Sequence, residues 1–274
     1  MDSVRLLQYN AGTTGRKGST STGAILTSRS ETTSISTAMT APERERHDAY
    51  VGRLFGSIST RYDLLNRLIS FGMDQSWRRQ AVAECHLPPD GRLLDAATGT
   101  GDMTLEALRQ YPGATITGLD LTAGMLQRAG EKAAATLDQP LRLLQGNALD
   151  LPFPDNHFDT AISGFMMRNV GDVSRAFAEQ VRVVRPGGRV VCLEITRPQV
   201  WPANWIFWAY FYGLVPLLGS LVSGRPAAYT YLPRSVARFF TAGEVQDIME
   251  KAGLREVRYR LLKMHSIAVH TGVK

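Results

Sequence analysis

Apolar positions along this chain change their period at Pro88-Pro89. Before that point, from Ala41, they recur at helical spacing, which predicts helices over residues 46–55, 61–69 and 76–84. After it, short apolar runs alternate with amphipathic stretches. The runs predict strands at Arg92–Asp95, Thr115–Asp120, Leu141–Gln145, Phe158–Ser163 and Arg189–Ile195. The stretches predict helices at Met103–Arg109, Gly124–Ala135 and Val173–Val184, with Arg185-Pro186-Gly187-Gly188 as a stop. A helix over Ala242–Ala252 and strands at Arg255–Leu262 and Ser266–Thr271 close the chain. Such alternation builds a parallel sheet with helices on both faces, and the closing hairpin adds an antiparallel edge. The expected fold is α/β, a doubly wound, Rossmann-like, seven-stranded sheet with N-terminal helices. Ligands of such sheets sit at the carboxyl ends of the strands, where Gly99, Asp120, Asn147 and Ser163 fall.

Two stretches depart from this pattern. Residues 1–40 are rich in Ser, Thr and Gly and poor in large apolar side chains, which predicts a disordered tail ahead of a domain spanning 41–274. A translation start at Met39 and a targeting segment are the alternatives, and no apolar core of a secretory signal is present. The second stretch, Pro198–Gly224, carries no charged side chain and holds three of the four tryptophans. Its length would permit a membrane span, but Pro202, Pro216, Gly213 and Gly219 interrupt it and its aromatics gather in one half. It is read, within 198–240, as a helical lid or greasy channel following the fifth strand, with plain core as the alternative.

Composition adds little. The 274 residues are 44% hydrophobic and 20% charged, which describes a globular chain of one large or two small domains. A net charge of +6 with no basic run carrying interleaved aromatics argues against nucleic-acid binding. Cys85 and Cys192 stand far apart and read as core residues in a reducing compartment. The five histidines show no metal-ligand spacing, so no metal is expected.

The candidate chemistry begins at Asp95-Ala96-Ala97-Thr98-Gly99-Thr100-Gly101-Asp102. A strand ending in an acid runs into a glycine turn that lets a ligand touch the backbone, and a helix follows. Asp120, at the end of the next strand, can take both hydroxyls of a ribose. Together these residues predict a nucleoside cofactor. The third glycine of a dinucleotide turn is missing, and Asp102 stands where it would repel a diphosphate. Both features suit S-adenosylmethionine, which carries an ammonium, a sulfonium and a ribose but no phosphate.

In the helices and loops around this turn the chain resembles the class I S-adenosylmethionine methyltransferases, and more closely the ubiquinone/menaquinone-biosynthesis C-methyltransferase family. The resemblance covers residues 44–274 and rests on six blocks in order. They are Leu54-Phe55 through Arg61-Tyr62-Asp63-Leu64-Leu65-Asn66 to Ile69-Ser70-Phe71-Gly72 with Trp77-Arg78; the glycine turn; Gly146-Asn147-Ala148 with Leu151–Asp159; Met167-Arg168-Asn169-Val170; Arg185–Glu194; and Gly219–Val222 with Tyr229–Leu232 and Ser235-Val236. The resemblance implies cofactor contacts at Thr100 in the turn (with Asp95, Gly99 and Gly101 around it), Asp120 on the ribose, and Asn147 and Ala148 beside the adenine. The family often has Ser just before its Phe-Gly-Leu-Arg-Asn motif; here Gly164 stands there and Ser163 one residue earlier.

The implied reaction is methylation of a ring carbon of a polyprenyl quinol, with demethylmenaquinol favoured over a polyprenyl methoxybenzoquinol. Candidate catalytic residues are Arg168, Asn169, Tyr62 and Asp63. Arg168 stays charged and would stabilise a phenolate or orient a water; the alternatives are an ion pair for Arg168 and capping or packing for Tyr62 and Asp63. His265 could reach the site from the terminal hairpin, though a lone histidine is more often structural. A cytoplasmic protein in peripheral contact with the inner face of a membrane is expected, and an oligomer is left open. A nicotinamide-dependent oxidoreductase and a non-catalytic S-adenosylmethionine-binding scaffold are the competing classes.

Overall fold

The computed structural model describes residues 39–137, 141–216, 226–262 and 265–274. Of the tail expected over 1–40, residues 1–38 lie outside the described residues, as does the Gly219–Val222 block.

Seven strands form one sheet in the order β3-β2-β1-β4-β5-β7-β6. They are β1 (Arg92–Ala96), β2 (Thr115–Asp120), β3 (Arg142–Gln145), β4 (Phe158–Gly164), β5 (Val184–Ile195), β6 (Arg255–Leu262) and β7 (Ile267–Val273). β1 pairs in parallel with β2 and β4, and β4 with β5, while β7 runs antiparallel to β5 and β6. The expected sheet is therefore present, and its order reverses between β1 and β4, where ligands of such sheets bind. Successive strand residues face opposite sides. Leu94, Ala161, Val190 and Cys192 thus join one core, and Leu93, Ile162, Val191 and Leu193 join the other. Burial on both faces is why these strands read as unbroken apolar runs. Both cysteines are free and buried, as core residues should be.

The expected stop at Arg185–Gly188 lies inside β5 instead. Val184 already pairs with Phe158, and the register then shifts before Arg189 joins Thr160. Gly187, at φ 79°, donates its N–H to Lys274 O at 2.9 Å, so the glycines make an irregularity in the strand, not its end.

Helices α4 (Asp102–Gln110), α5 (Ala123–Ala134) and α6 (Val173–Val183) connect the parallel strands. Three more precede the sheet: α1 (Ala41–Ile58), α2 (Tyr62–Ser70) and α3 (Asp74–Ala83). α1 opens on a capping box, with Glu43 accepting from the Thr40 N–H at 2.8 Å. After β5 come α7 (Ala203–Ala209), a π-helical turn at Tyr210–Leu214 and α8 (Pro226–Arg238), then α9 (Ala242–Lys251) before the hairpin. The segment after β5 thus enters through a non-helical stretch at residues 196–202 and is helical over Ala203–Leu214 and Pro226–Arg238. No described helix is long and apolar enough to cross a membrane.

Candidate active site

The chain leaves β1 through Ala97, in the left-handed region at φ 68°, and then through Gly99 at φ 58° and Gly101 at φ 86°. A Cβ on Gly99 would meet nothing within 4 Å, so the turn faces open space. A Cβ on Gly101 would stand 3.0 Å from that of Ala129, which shows how closely the turn is packed on α5. Asp120 pins this turn: one carboxylate oxygen accepts from Gly99 N–H at 2.9 Å and the other from Thr122 N–H at 2.8 Å. Burial raises its pKa, against the lowering effect of those bonds.

A cavity of about 110 Å³ opens over the turn, bounded by Asp120 and Gly164 at strand ends, Asn147 and Ala148 in the loop after β3, and Asp48, Val51 and Phe55 from α1. Asn147 donates to Asp48 at 2.8 Å and accepts from Leu149 N–H at 2.9 Å, which fixes its amide at the cavity edge. A second, smaller cavity of about 30 Å³ continues past Gly99 to Asp95, Thr100, Asp102 and Arg78. Asp95 accepts from Thr104 at 2.8 Å through one oxygen, while the other is buried without a partner. Burial pushes its carboxyl up to about 6. Asp102, expected to await a cationic ligand, is already met by Lys132 and lies 3.9 Å from Arg78. Asp63 is also engaged, accepting from Thr100 and, at 3.0 Å, from Lys132. These cavities fit S-adenosylmethionine: an acid at the ribose position and an unsatisfied buried carboxylate for an ammonium, where a pyrophosphate would lie against Asp95 and Asp102.

A third and larger cavity, about 310 Å³, adjoins the first two. Its lining is mainly apolar and aromatic, with Phe71, Trp77, Ile206, Phe207, Tyr210 and Phe211 among its walls. Tyr62 borders this cavity and both smaller ones, and Phe165 borders this one and the Asp120 cavity. Phe165 adopts φ 58°, a left-handed conformation that costs an ordinary residue roughly 1 kcal/mol or more and that the surrounding packing must hold. Arg78 and Arg168 lie over its ring, 5.3 and 5.6 Å from the centroid.

Arg168 ion-pairs with Glu194 on β5, and both are buried. Its Nη1 also donates to Phe165 O at 2.9 Å, its main-chain N–H donates to Glu194 at 3.2 Å, and its Nε is buried without a hydrogen-bond partner. Asn169 donates to Phe165 O at 2.9 Å and accepts from the Tyr231 hydroxyl at 3.1 Å. The structure thus brings together Tyr62, Asp63, Asp95, Gly99, Thr100, Asp120, Asn147, Ala148, Arg168 and Asn169. It does not bring in Ser163, whose side chain is fully buried and borders none of these cavities. Side chains alternate along β4, so Ser163 turns into the sheet and Gly164 meets the ligand space. Gly101 acts through the turn's geometry. His265 is exposed and lines none of the three cavities. Sequence reading gave no role to Asp48, Arg78, Phe165, Glu194 or Tyr231. Arg78, Glu194 and Tyr231 fall inside blocks of family resemblance, which was the available signal, while Asp48 reaches the site from a helix 99 positions away from Asn147.

The profile of the ubiE/COQ5 methyltransferase family matches residues 43–274. The demethylmenaquinone methyltransferase of Roseiflexus castenholzii is 40% identical over 233 residues, which are 85% of this chain and 97% of that protein. The demethylmenaquinone methyltransferase of Thermus thermophilus is 43% identical over 219 residues, 80% of this chain and 99% of its own. The ubiquinone/menaquinone biosynthesis C-methyltransferase UbiE of Desulfotalea psychrophila is 39% identical over 227 residues, 82% and 90% of the two chains. Among solved structures, a SAM-dependent methyltransferase from Thermotoga maritima shares the fold at a TM-score of 0.57 and 22% identity, covering 82% of this chain and 99% of that one. Nothing among these matches favours a nicotinamide enzyme. The chain belongs to the ubiE/COQ5 methyltransferase family and is an S-adenosylmethionine-dependent methyltransferase.

Proposed function

We propose that this enzyme methylates a ring carbon of a polyprenyl quinol, converting demethylmenaquinol to menaquinol. The observation that carries this is the large, apolar and aromatic cavity lying against the cofactor cavity, with Tyr62 and Phe165 as shared walls. A flat, electron-rich ring on an isoprenoid tail matches such a lining. The relatives named for demethylmenaquinone favour the naphthoquinol over a benzoquinol.

Asp120 would hold the ribose, Asn147 and Ala148 the adenine edge, and Asp95 with Thr100 the amino-acid end. Bound S-adenosylmethionine supplies a methyl group on a positively charged sulfur, open to in-line attack by the acceptor carbon. The remaining work falls to the chain. The apolar walls keep water from the reacting groups and hold the ring in place. Arg168 stands on the wall of the large cavity, where its fixed charge would favour the phenolate and make the ring carbon more nucleophilic. Glu194 holds that guanidinium in position. Asn169 fixes the Phe165 carbonyl and hence the shared wall. Asp63, already bonded to Thr100 and Lys132, positions α2 over the turn and is not a proton acceptor in this scheme.

The acceptor's tail directs us to the membrane. Phe71 and Ile206 line the large cavity yet are 69% and 42% exposed, and Trp201 and Trp205, near Ile206 in the chain, are 83% and 70% exposed. Aromatic side chains of this kind settle at a bilayer interface, so peripheral contact that delivers the quinol to the cavity belongs to the proposal. Incubation of the purified enzyme with S-adenosylmethionine and demethylmenaquinol should yield menaquinol, one methyl heavier by mass spectrometry. Turnover confined to a benzoquinol acceptor would reassign the substrate, and turnover of neither would refute quinol methylation.

A further inference from the structure

Arg78 lies outside every role assigned so far, yet it occupies the junction of the site. It projects from α3, is 8% exposed, and borders both the large cavity and the small one at the glycine turn. Burying a guanidinium is unfavourable unless its donors find acceptors. Its carboxylate neighbours leave it incompletely served: Nε is 3.8 Å from Asp74 and 3.9 Å from Asp102 and has no hydrogen-bond partner. Each acid is bonded elsewhere through its other oxygen, Asp74 to the Ser70 hydroxyl at 3.0 Å and Asp102 to Lys132, and neither comes within hydrogen-bond distance of Arg78 Nε. The far end of the side chain reaches toward the cofactor side, with Nη1 3.8 Å from where a Cβ on Gly164 would stand. Gly164 borders both cofactor cavities. On the same small cavity, Asp95 offers a buried carboxylate oxygen that is likewise unpartnered. Buried polar groups left unbonded call for an explanation. Here one is a cation and the other an anion, on a single cavity beside the turn.

We propose that Arg78 and Asp95 together grip the amino-acid end of S-adenosylmethionine, with Arg78 taking the α-carboxylate and Asp95 the α-ammonium. The inference rests on the cofactor assignment above. A guanidinium fork suits a carboxylate because two parallel N–H groups meet two oxygens. A zwitterion offers each buried group a hydrogen-bonded partner of opposite charge, where the fold gives Arg78 Nε only acids at 3.8 and 3.9 Å. The alternative place for Arg78 is on a quinol oxygen in the large cavity, but the approach of Nη1 to Gly164 puts its donors on the cofactor side.

Isothermal titration separates these roles with three ligands: S-adenosylhomocysteine, its analogue lacking only the α-carboxylate, and 5′-methylthioadenosine, which lacks the whole amino-acid end. The native enzyme should prefer S-adenosylhomocysteine to the decarboxylated analogue by about 30-fold. Arg78→Met should remove that preference while leaving both truncated ligands within about threefold of native affinity, and Arg78→Lys should keep part of it, as a point charge in place of a fork. An unchanged preference in Arg78→Met would overturn the proposal, as would a native enzyme indifferent to the carboxylate. So would a variant that binds S-adenosylhomocysteine normally but shows a raised KM for quinol, which would put Arg78 on the acceptor side. If Arg78→Met fails to fold, Arg78→Lys and the native preference decide the matter. Failure of the native enzyme to bind any of the three would refute the cofactor assignment itself.

Discussion

Asp95 shows how the fold prepares a single residue for a ligand. Burial without a full set of partners raises its carboxyl to about 6, and an incoming ammonium would draw it down again. Below that pH the group holds a proton and loses its attraction for the cation. Affinity for S-adenosylhomocysteine should therefore fall by up to about tenfold per pH unit below pH 6, measured by titration between pH 5 and 7.5; a flat profile would remove Asp95 from the ammonium site. Stability of the ligand-free protein moves the other way. A carboxyl raised on folding binds its proton more tightly in the folded state, so its contribution is greatest below the unfolded value and is lost as pH rises toward 6. Asp95→Asn should erase that part of the pH dependence in urea melts. Arg168 makes the companion case. Its replacement by Met should lower kcat by about 100-fold while S-adenosylhomocysteine affinity stays within about twofold, as expected for a donor used in the transition state. Arg168 was legible in Met167-Arg168-Asn169-Val170, but Glu194 was not named as its partner. Only the parallel pairing of β4 with β5, which sets Gly164 beside Leu193, brings the two together.

At the scale of elements, the central strands β1 and β4 were readable because burial on both faces leaves apolar runs, whereas the exposed β3 and β6 were placed by their position in the alternation. The helices ahead of the sheet were readable as helices but not as covers, since periodicity reports that a face is buried without saying against what. α1 bridges to the loop after β3 through Asp48 on Asn147, and to the N-cap of α6 through Arg44 on Asp172, the latter at 3.2 Å. α2 is held down at Asp63 by Thr100 and by Lys132 on α5. One residue, Lys132, thus ties α2 to the helix that follows the glycine turn, through Asp63 and Asp102. Lys132→Met should leave two partly buried acids facing each other beside the cofactor and free α2 at its first turn. The expected result is a loss of about 1 kcal/mol in stability and a several-fold weaker S-adenosylhomocysteine complex, with faster proteolysis within α2. Native proteolysis and affinity in this variant would show that α2 is held by its apolar face alone. Ser163 marks the limit of sequence reading at this scale: an error of one residue at a strand end moves a side chain from the ligand to the opposite side of the sheet.

Taken whole, the molecule has a polar cofactor face and an apolar acceptor side that meet at Tyr62 and Phe165. The uncharged stretch after β5 signalled the apolar side in the sequence, although part of it lies outside the described residues. Within the described part, Phe207 and Phe211 turn inward and stack at 4.2 Å, and the Tyr210 hydroxyl donates to Ile69 O on α2. The segment is thereby fastened over the large cavity while Trp201 and Trp205 remain outside. A purely structural lid has little reason to expose two tryptophans, whereas a lid that receives a tailed quinol from a bilayer does. Each such ring buried in lipid is worth about 1–2 kcal/mol. Replacing both with Ser should therefore weaken vesicle binding by about tenfold or more in a flotation assay. The same double variant should raise the KM for a long-tailed quinol presented in vesicles, yet leave turnover of a short-tailed, water-soluble quinol and the affinity for S-adenosylhomocysteine unchanged, because neither tryptophan lines the described cavities. Equal losses on both acceptors would instead make the tryptophans part of the substrate pocket's support, and undiminished flotation would remove them from the membrane surface.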